Sequence, residues 1–557
     1  MLYYLFYMKK IITVFRAPEF YIFLVATFFI FCRISFVDMV GDDAVYSLRS
    51  VGYLDFMFAD TQTTSLDWFK VFPAWANLSF HDHPPLLFVI QHIFLLLKEN
   101  IFFAKLPYAL FGLGSIAVLY VWTKAVYGRQ VALLSCALLS VNAFFIYSTR
   151  VTYLEGGVVF FCLLTLYCFY LFLQDTKKWW AFGLTLGLCL LTKYTALFML
   201  PTIAVYILWK KRELVKQSKL YYAFFLTLII ISPVIIYNVM MFKTVGHFDL
   251  QFSRLFGGES AWGHDGAKAG FRNPIGILKA LAYSLSFPYL FLSLLSLCVA
   301  FFYHKRMHIY VLGILFLTVM FSFIGSANRF LVLYNIFLAT PLAYVIVTHY
   351  LQISRKNIRH MVKGCIVIFI SFLFLFSYNS HIATKPFLEK HTGWSISASQ
   401  SKNYGLFQLE TYLETLFAKK EPTHYDGYTD MKKKKASLKK YVGPTTIPSD
   451  GFSYIIVYDQ NISWFSEMWL FKRQRFYHNM PIFSTKEFKE MAESVDPIAI
   501  KELYFIKATE FTKQTSSKLF SDYPNLLEKK LQENTLEPLH INRIDGNPAF
   551  VVYHLVF

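Results

Sequence analysis

Apolar runs long enough to cross a bilayer fill the first 379 residues and leave few other folds open to the chain. A spanning helix needs about 20 apolar residues. Such runs fall near 18–37, 101–123, 131–149, 156–174, 179–193, 194–209, 220–241, 277–303, 309–325, 330–350 and 364–379. The expectation is an α-helical polytopic membrane protein with about eleven transmembrane helices. Only 16% of residues are charged, against roughly a quarter in soluble domains. The 60 Phe and 37 Tyr suit a lipid-facing surface with aromatic belts.

The formal charge of +19 does not point to nucleic acid, because loops retained in the cytoplasm are basic for topological reasons. With the N-terminus inside, the inner loops hold Lys124 and Arg129; Lys177 and Lys178; Lys210, Lys211, Arg212, Lys216 and Lys219; Lys305 and Arg306; and Arg355, Lys356, Arg359 and Lys363. That alternation survives only if the short apolar stretch 85–97 does not span, so it is read as an interfacial or re-entrant helix. The opposite face then collects Asp42, Asp43, His81, Asp82, His83, Arg150, Glu155, Lys193, the 243–273 loop, Asn328 and Arg329. Solvated loop charges explain any one of these; their convergence on one face is harder to explain so.

Lys9, Lys10 and Arg16 precede a run long enough to span, with no small-residue cleavage site, so no cleavable signal peptide is expected. All seven cysteines lie in or beside apolar runs, which argues against a disulfide framework. After residue 379 the composition changes, and the remainder holds more than half of the 35 acidic residues. Strands are expected at 451–459, at KELYFIKAT and at NPAFVVYHLVF. Helices are expected over ISWFSEMWLFKRQRF and near 486–494 and 524–532. Strands alternating with helices suggest an α/β domain. Two domains follow: 1–379 in the membrane, and 380–557 soluble and extracytoplasmic. The basic run 431–440 reads as a solvated loop.

Chemistry concentrates at GDDAVY (41–46) and HDHPPL (81–86). Acidic groups beside a membrane more often mark function than structure. A carboxylate there can act as general base on a hydroxyl, or bind a cation or amine. His81-x-His83 supplies two groups of metal-ligand type but no third or fourth, so the spacing does not support a divalent metal, and no cofactor is firmly expected. The long 247–273 loop carries Trp262 and His264 and has the length of a lid.

GDDAVY resembles the acidic first-loop motif of the protein O-mannosyltransferase and lipid A aminoarabinose transferase superfamily, glycosyltransferase family 39, with the GT-C fold. DHPPL resembles the family's His-Pro-Pro-Leu. STRVTYLEGG (148–157) resembles its Ser-Arg-x-x-x-Leu-Asp, with Glu155 in place of Asp. GLCLLTKYTALFMLP (187–201) and NRFLVLYNIFLATP (328–341) resemble its Thr-Lys segment and a later Arg-aromatic helix. The resemblance covers about residues 20–350.

It implies a GT-C-like membrane glycosyltransferase that takes a sugar, hexosyl or pentosyl, from a polyprenyl-phosphate carrier and passes it to a lipid, glycan or protein acceptor on the outer face. The setting is a bacterial inner membrane, with membrane lipids and no nucleic acid among the partners. Asp42 matches the family's general base, and Asp43 stands where Glu is more usual. If the acceptor is itself a phosphate, no base is needed and Asp42 serves in binding. His81, Asp82, His83, Arg150, Glu155, Lys193 and Arg329 become substrate-binding candidates, with Lys193, Arg150 and Arg329 suited to the carrier phosphate. Against these stand blander readings: Lys193 and Arg329 as snorkelling helix-end residues, and Arg150 with Glu155 as a structural ion pair. A transporter or flippase is the main functional alternative. It predicts repeated halves and mid-span polar groups, and neither is clear. A scaffold leaves the outward charges unexplained.

Overall fold

The computed structural model describes residues 17–52, 83–255, 273–303, 305–387, 395, 403–420, 451–462, 464–493, 499–509, 521–533 and 537–557. His81, Asp82, Trp262, His264 and the basic run 431–440 lie outside these. The chain divides into two compact units: Met1–Ile34, Phe80–Phe94 and Lys105–Ser401 in the first; Ser35–Ser79, Leu95–Ala104 and Lys402–Phe557 in the second. The second unit therefore takes two segments from the N-terminal part of the chain, where the composition change alone suggested a start at residue 380.

The protein is an integral, polytopic helical membrane protein. Among the described residues, six helices are long and apolar enough to cross: Pro18–Phe36, Ile101–Tyr127, Glu155–Gln174, Ser218–Met240, Asn328–Gln352 and Lys356–His381. A bent pair, Arg129–Ser140 and Ala143–Arg150, makes a seventh if counted as one span. Leu86–Leu95, Tyr194–Lys210, Pro274–Leu285, Phe287–Phe302 and His308–Ile324 are apolar but shorter.

Two expected spans are broken, each for a local reason. The 131–149 run bends by 64°. Asn142 there is extended, and its Oδ1 accepts the Phe145 N–H at 2.9 Å. An amide side chain at that position caps a new helix rather than continuing the old one. The 277–303 run is interrupted at Ser286, whose φ of +76° is left-handed. Pro288 follows in the first turn of the next helix, where a missing N–H costs nothing.

The Glu155–Gln174 and Asn328–Gln352 helices are the most buried of the spans, and Lys356–His381 the least. Helices apolar all round belong inside a bundle. The start of Glu155–Gln174 is pressed close to its neighbours. A Cβ on Gly156 would lie 2.5 Å from the Ser148 carbonyl oxygen, and one on Gly157 would lie 2.6 Å from Leu87 Cδ2. Glycines let Glu155 stand at a helix start packed this tightly.

The second unit is built on one five-stranded sheet: β1 (Ile455–Tyr458), β2 (Ile482–Ser484), β3 (Glu502–Ala508), β4 (Leu539–Asn542) and β5 (Pro548–Val556). The order is β2-β1-β3-β5-β4, with β1 parallel to β2 and β3 and the remaining pairs antiparallel. Alternate residues serve opposite faces. Ile456, Tyr504 and Ile506 pack with Leu409, Leu413 and Phe471. Ile455, Val457 and Phe505 pack with Leu527 and Leu531. The helix over 464–477 is present and contains a π turn at Met468–Lys472. The helix Leu406–Phe417 and the strands β2 and β4 were not expected from the sequence.

Candidate functional site

Each unit carries part of the expected residue set. In the first, Glu155, Lys193 and Arg329 come together from three separate stretches. Glu155 opens its helix, where the dipole favours a carboxylate. Lys193 occupies an extended break between Trp179–Leu190 and the 3₁₀ turn Tyr194–Phe198. Its Nζ meets Glu155 Oε1 at 2.5 Å, and both side chains are at most 3% exposed. Arg329 lies in the 3₁₀ turn Asn328–Tyr334, with Nε 3.8 Å from the same oxygen and a side chain 19% exposed. Aromatic faces line the cations: Phe330 lies under Lys193 Nζ at 4.3 Å, and Tyr153 under the Arg329 guanidinium at 4.9 Å. Glu155 Oε2 accepts no hydrogen bond among the described residues.

This geometry sets aside two of the blander readings. Lys193 does not snorkel, since it is buried against a carboxylate. Arg150 is not paired with Glu155. It is buried, and Nη1 donates to the carbonyls of Phe29 at 2.7 Å and Ile30 at 3.2 Å. These bonds tie the first span to the Ala143–Arg150 helix. A buried ion pair is weak evidence for stability, because desolvation offsets its attraction. Ionisable groups kept in such a place are functional candidates.

Beside Lys193, Tyr194 begins the lining of an apolar cavity of about 310 Å³, walled by Leu197, Leu200, Ile231, Val234 and Phe248. Its polar groups, Tyr194 and Asn238, meet the buried carboxylate of Asp249. Tyr194 Oη donates to Asp249, and Asn238 Nδ2 donates at 2.9 Å. Asp249 also takes the N–H groups of Gln251 and Phe252, each at 3.0 Å, which caps the Leu250–Leu255 helix. Sequence reasoning placed Asp249 only within a long loop. The signal available was an acidic residue just before a short helix, a cap pattern. His83 is also buried, just ahead of the Leu86–Leu95 helix. No group of three or more His, Cys, Asp or Glu among the described residues is placed to hold a metal ion.

In the second unit the adjacent aspartates separate in character. Both open the Asp42–Gly52 helix. Asp43 is buried, and its Oδ1 accepts the N–H of Gly41 at 2.8 Å and of Ala44 at 3.0 Å, so it shapes the backbone. Asp42 is only half-buried. Arg49, passed over in the sequence, is buried two turns along the same helix, close to the Asp42 face by helical spacing.

Compared with solved structures, the chain matches ArnT from Cupriavidus metallidurans in the apo state, at 12% identity over 98% of each chain and a TM-score of 0.52. The same protein bound to undecaprenyl phosphate matches at 13% identity over 95% of this chain and 96% of that one, TM-score 0.49. The archaeal oligosaccharyltransferase AglB from Archaeoglobus fulgidus, solved with an inhibitory peptide and a dolichol-phosphate, matches at 13% identity over 89% of this chain and 70% of that one, TM-score 0.49. The first of these matches shows the GT-C fold, here accompanied by a small mixed-sheet unit. Residues 82–237 match the family described as dolichyl-phosphate-mannose-protein mannosyltransferase. The resemblance to glycosyltransferase family 39 is therefore borne out over that stretch. The matched stretch holds Asp82, His83, Arg150, Glu155 and Lys193, while Asp42, Asp43, His81 and Arg329 fall outside it. No curated protein matches the chain by sequence.

Proposed function

We propose that the protein is a membrane glycosyltransferase that moves a sugar from a polyprenyl-phosphate carrier to a lipid, glycan or protein acceptor on the outer face of a bacterial inner membrane. The observation that carries this reading is the gathering of Lys193 and Arg329 at Glu155; Tyr194, the residue after Lys193, lines the apolar cavity. A polyprenyl phosphate has two parts, an apolar chain and a dianionic head. An apolar cavity and preorganised cations are the kinds of group that suit the two parts. Fixed cations stabilise charge on a departing phosphate better than mobile water does.

In this reading the bond between the anomeric carbon and the carrier phosphate breaks, and the phosphate leaves with the electron pair. The acceptor oxygen attacks the anomeric carbon, with inversion. Asp42 takes the proton of an acceptor hydroxyl, or binds the acceptor if that is itself a phosphate. Arg329, the more exposed cation, meets the phosphate, and Glu155 with Lys193 sets its position. Asp43 and Arg150 maintain backbone.

The test is purified protein in lipid vesicles with labelled polyprenyl-phosphate sugars, beside mass spectrometry of lipid extracts from a deletion strain. Label transfer and loss of one hexose- or pentose-sized increment are expected. Unchanged extracts with solute flux through the vesicles favour a transporter instead. For sidedness, reporters fused after Lys178, Arg212 and Arg355 should behave as cytoplasmic, and those after Glu155 and Phe557 as external. A cytoplasmic Phe557 reporter overturns the outer-face assignment.

A further inference from the structure

The Asp42–Gly52 helix has only eleven residues, and isolated helices of that length are marginal. Its place must be fixed by what it packs on. Ala44, Val45 and Leu48 share one cluster with Met468 and Trp469. Tyr477 Oη donates to the Leu48 carbonyl at 2.8 Å. Both contacts come from the 464–477 helix, and its π turn contains Trp469. Such turns are frequent at functional sites.

Trp469 is itself locked. Its Nε1 donates to Glu410 Oε1 at 2.8 Å, from the Leu406–Phe417 helix. Arg473 donates to the same oxygen at 2.8 Å and lies over the Trp469 ring at 4.0 Å. It also reaches the Glu99 carbonyl at 3.1 Å. Glu410, Trp469 and Arg473 are all buried. Burial pushes the Glu410 carboxyl up to about 7, against the pull of Arg473.

The chain just ahead of Asp42 is held as well. Asp38, fully buried, accepts the N–H groups of Tyr404, Leu406 and Phe407, the last two at 3.1 and 2.9 Å. Asn403 Nδ2 donates to the Phe36 carbonyl at 3.1 Å, and the Phe36 and Phe407 rings lie 4.9 Å apart. One C-terminal helix therefore holds the approach to Asp42, the other holds the helix it opens, and Glu410 ties the two.

We propose that the C-terminal helices Leu406–Phe417 and 464–477 are a mount for Asp42, with Asp38, Glu410, Trp469 and Tyr477 as positioning residues for the transfer step. The inference rests on the glycosyltransferase reading only in assigning Asp42 a chemical task; the mount itself is a statement about these contacts. It gives the C-terminal unit a part in the reaction rather than in binding a separate partner. Misplacing a reacting group by about 1 Å can cost on the order of 10²-fold, so small losses of support should be visible in turnover.

Two conservative variants test this in the full-length protein: Tyr477→Phe, which removes one hydroxyl, and Glu410→Gln, which keeps an acceptor for Trp469 but removes the charge. Hydrogen–deuterium exchange of the 41–52 peptide should rise several-fold in both. Per mole of folded protein, kcat should fall about tenfold with the donor KM unchanged. In an Asp42→Asn background neither variant should lower kcat further. Unchanged exchange over 41–52 overturns the mount, whatever the enzyme does. Losses that multiply in the Asp42→Asn background overturn action through Asp42. A wild type silent toward all polyprenyl-phosphate sugars, with exchange still responding, overturns the glycosyltransferase reading and leaves the mount supported.

Discussion

An Asp42→Asn variant is expected to fold, insert and lose about 10²–10⁴-fold in turnover, the usual contribution of a positioned general base. Folding should survive because Asp42 is half-buried at the first position of its helix, and Asn is well tolerated at helix starts. The two backbone hydrogen bonds that shape the turn belong to Asp43, not Asp42. Asp43→Asn keeps a carbonyl oxygen able to accept both, so it should cost far less. The pair of variants therefore separates chemistry from architecture within one dipeptide. Assay with labelled donor decides between them. Near-normal turnover in Asp42→Asn returns the base role to Asp43, or favours a phosphate acceptor that needs no base. Equal large losses in both variants mean that the turn itself, rather than one carboxylate, is what the reaction requires.

Much of the architecture could be read from hydropathy, because lipid leaves the backbone no partner but itself. Helix breaks escaped that reading. Asn142 and Ser286 interrupt runs whose hydropathy is continuous, and the cause is capping and a left-handed residue, which a sliding apolar window does not weigh. The C-terminal strands β1, β3 and β5 were legible as apolar runs. The strand β2 has only three residues, and β4 (LHIN) buries only Ile541, so neither stands out as an apolar run. That Asp38 would cap a helix starting at Leu406 was beyond reach, since 368 residues separate Asp38 from Leu406. The same limit governed the candidate site. Residue types could be nominated one by one, and the motif order supported them. Which cation meets Glu155 is a tertiary fact: Arg150, only five residues away, turns to carbonyls of the first span, and Lys193 takes the place.

That exchange changes what substitution at Lys193 should do. For a snorkelling lysine, Met is a mild replacement. For a lysine 2.5 Å from a buried carboxylate, Lys193→Met takes away the nearest cation and leaves Arg329 at 3.8 Å as the remaining counter-charge. Breaking a buried pair from one side typically costs about 3–5 kcal/mol. The single variant should therefore show a lower melting temperature in detergent and a reduced folded yield. Glu155→Gln combined with Lys193→Met removes both charges and should recover most of the stability, since replacing a whole buried pair is often close to neutral. Turnover is expected to part from stability at this point. If the pair sets the phosphate-binding cation, the double variant stays impaired although folded. If Lys193 meets the leaving phosphate chiefly as charge builds, kcat falls more than KM rises. Lys193→Arg should rescue stability in part, because a planar fork does not reproduce a compact ammonium. Lys124→Met, in the last turn of the Ile101–Tyr127 helix at the end read as cytoplasmic, is the control. A double variant that regains both melting temperature and turnover makes the Glu155–Lys193 pair a packing element and moves the phosphate contact wholly to Arg329. A double variant that regains only the first assigns the pair to the reaction, because its folding cost would then have no structural return.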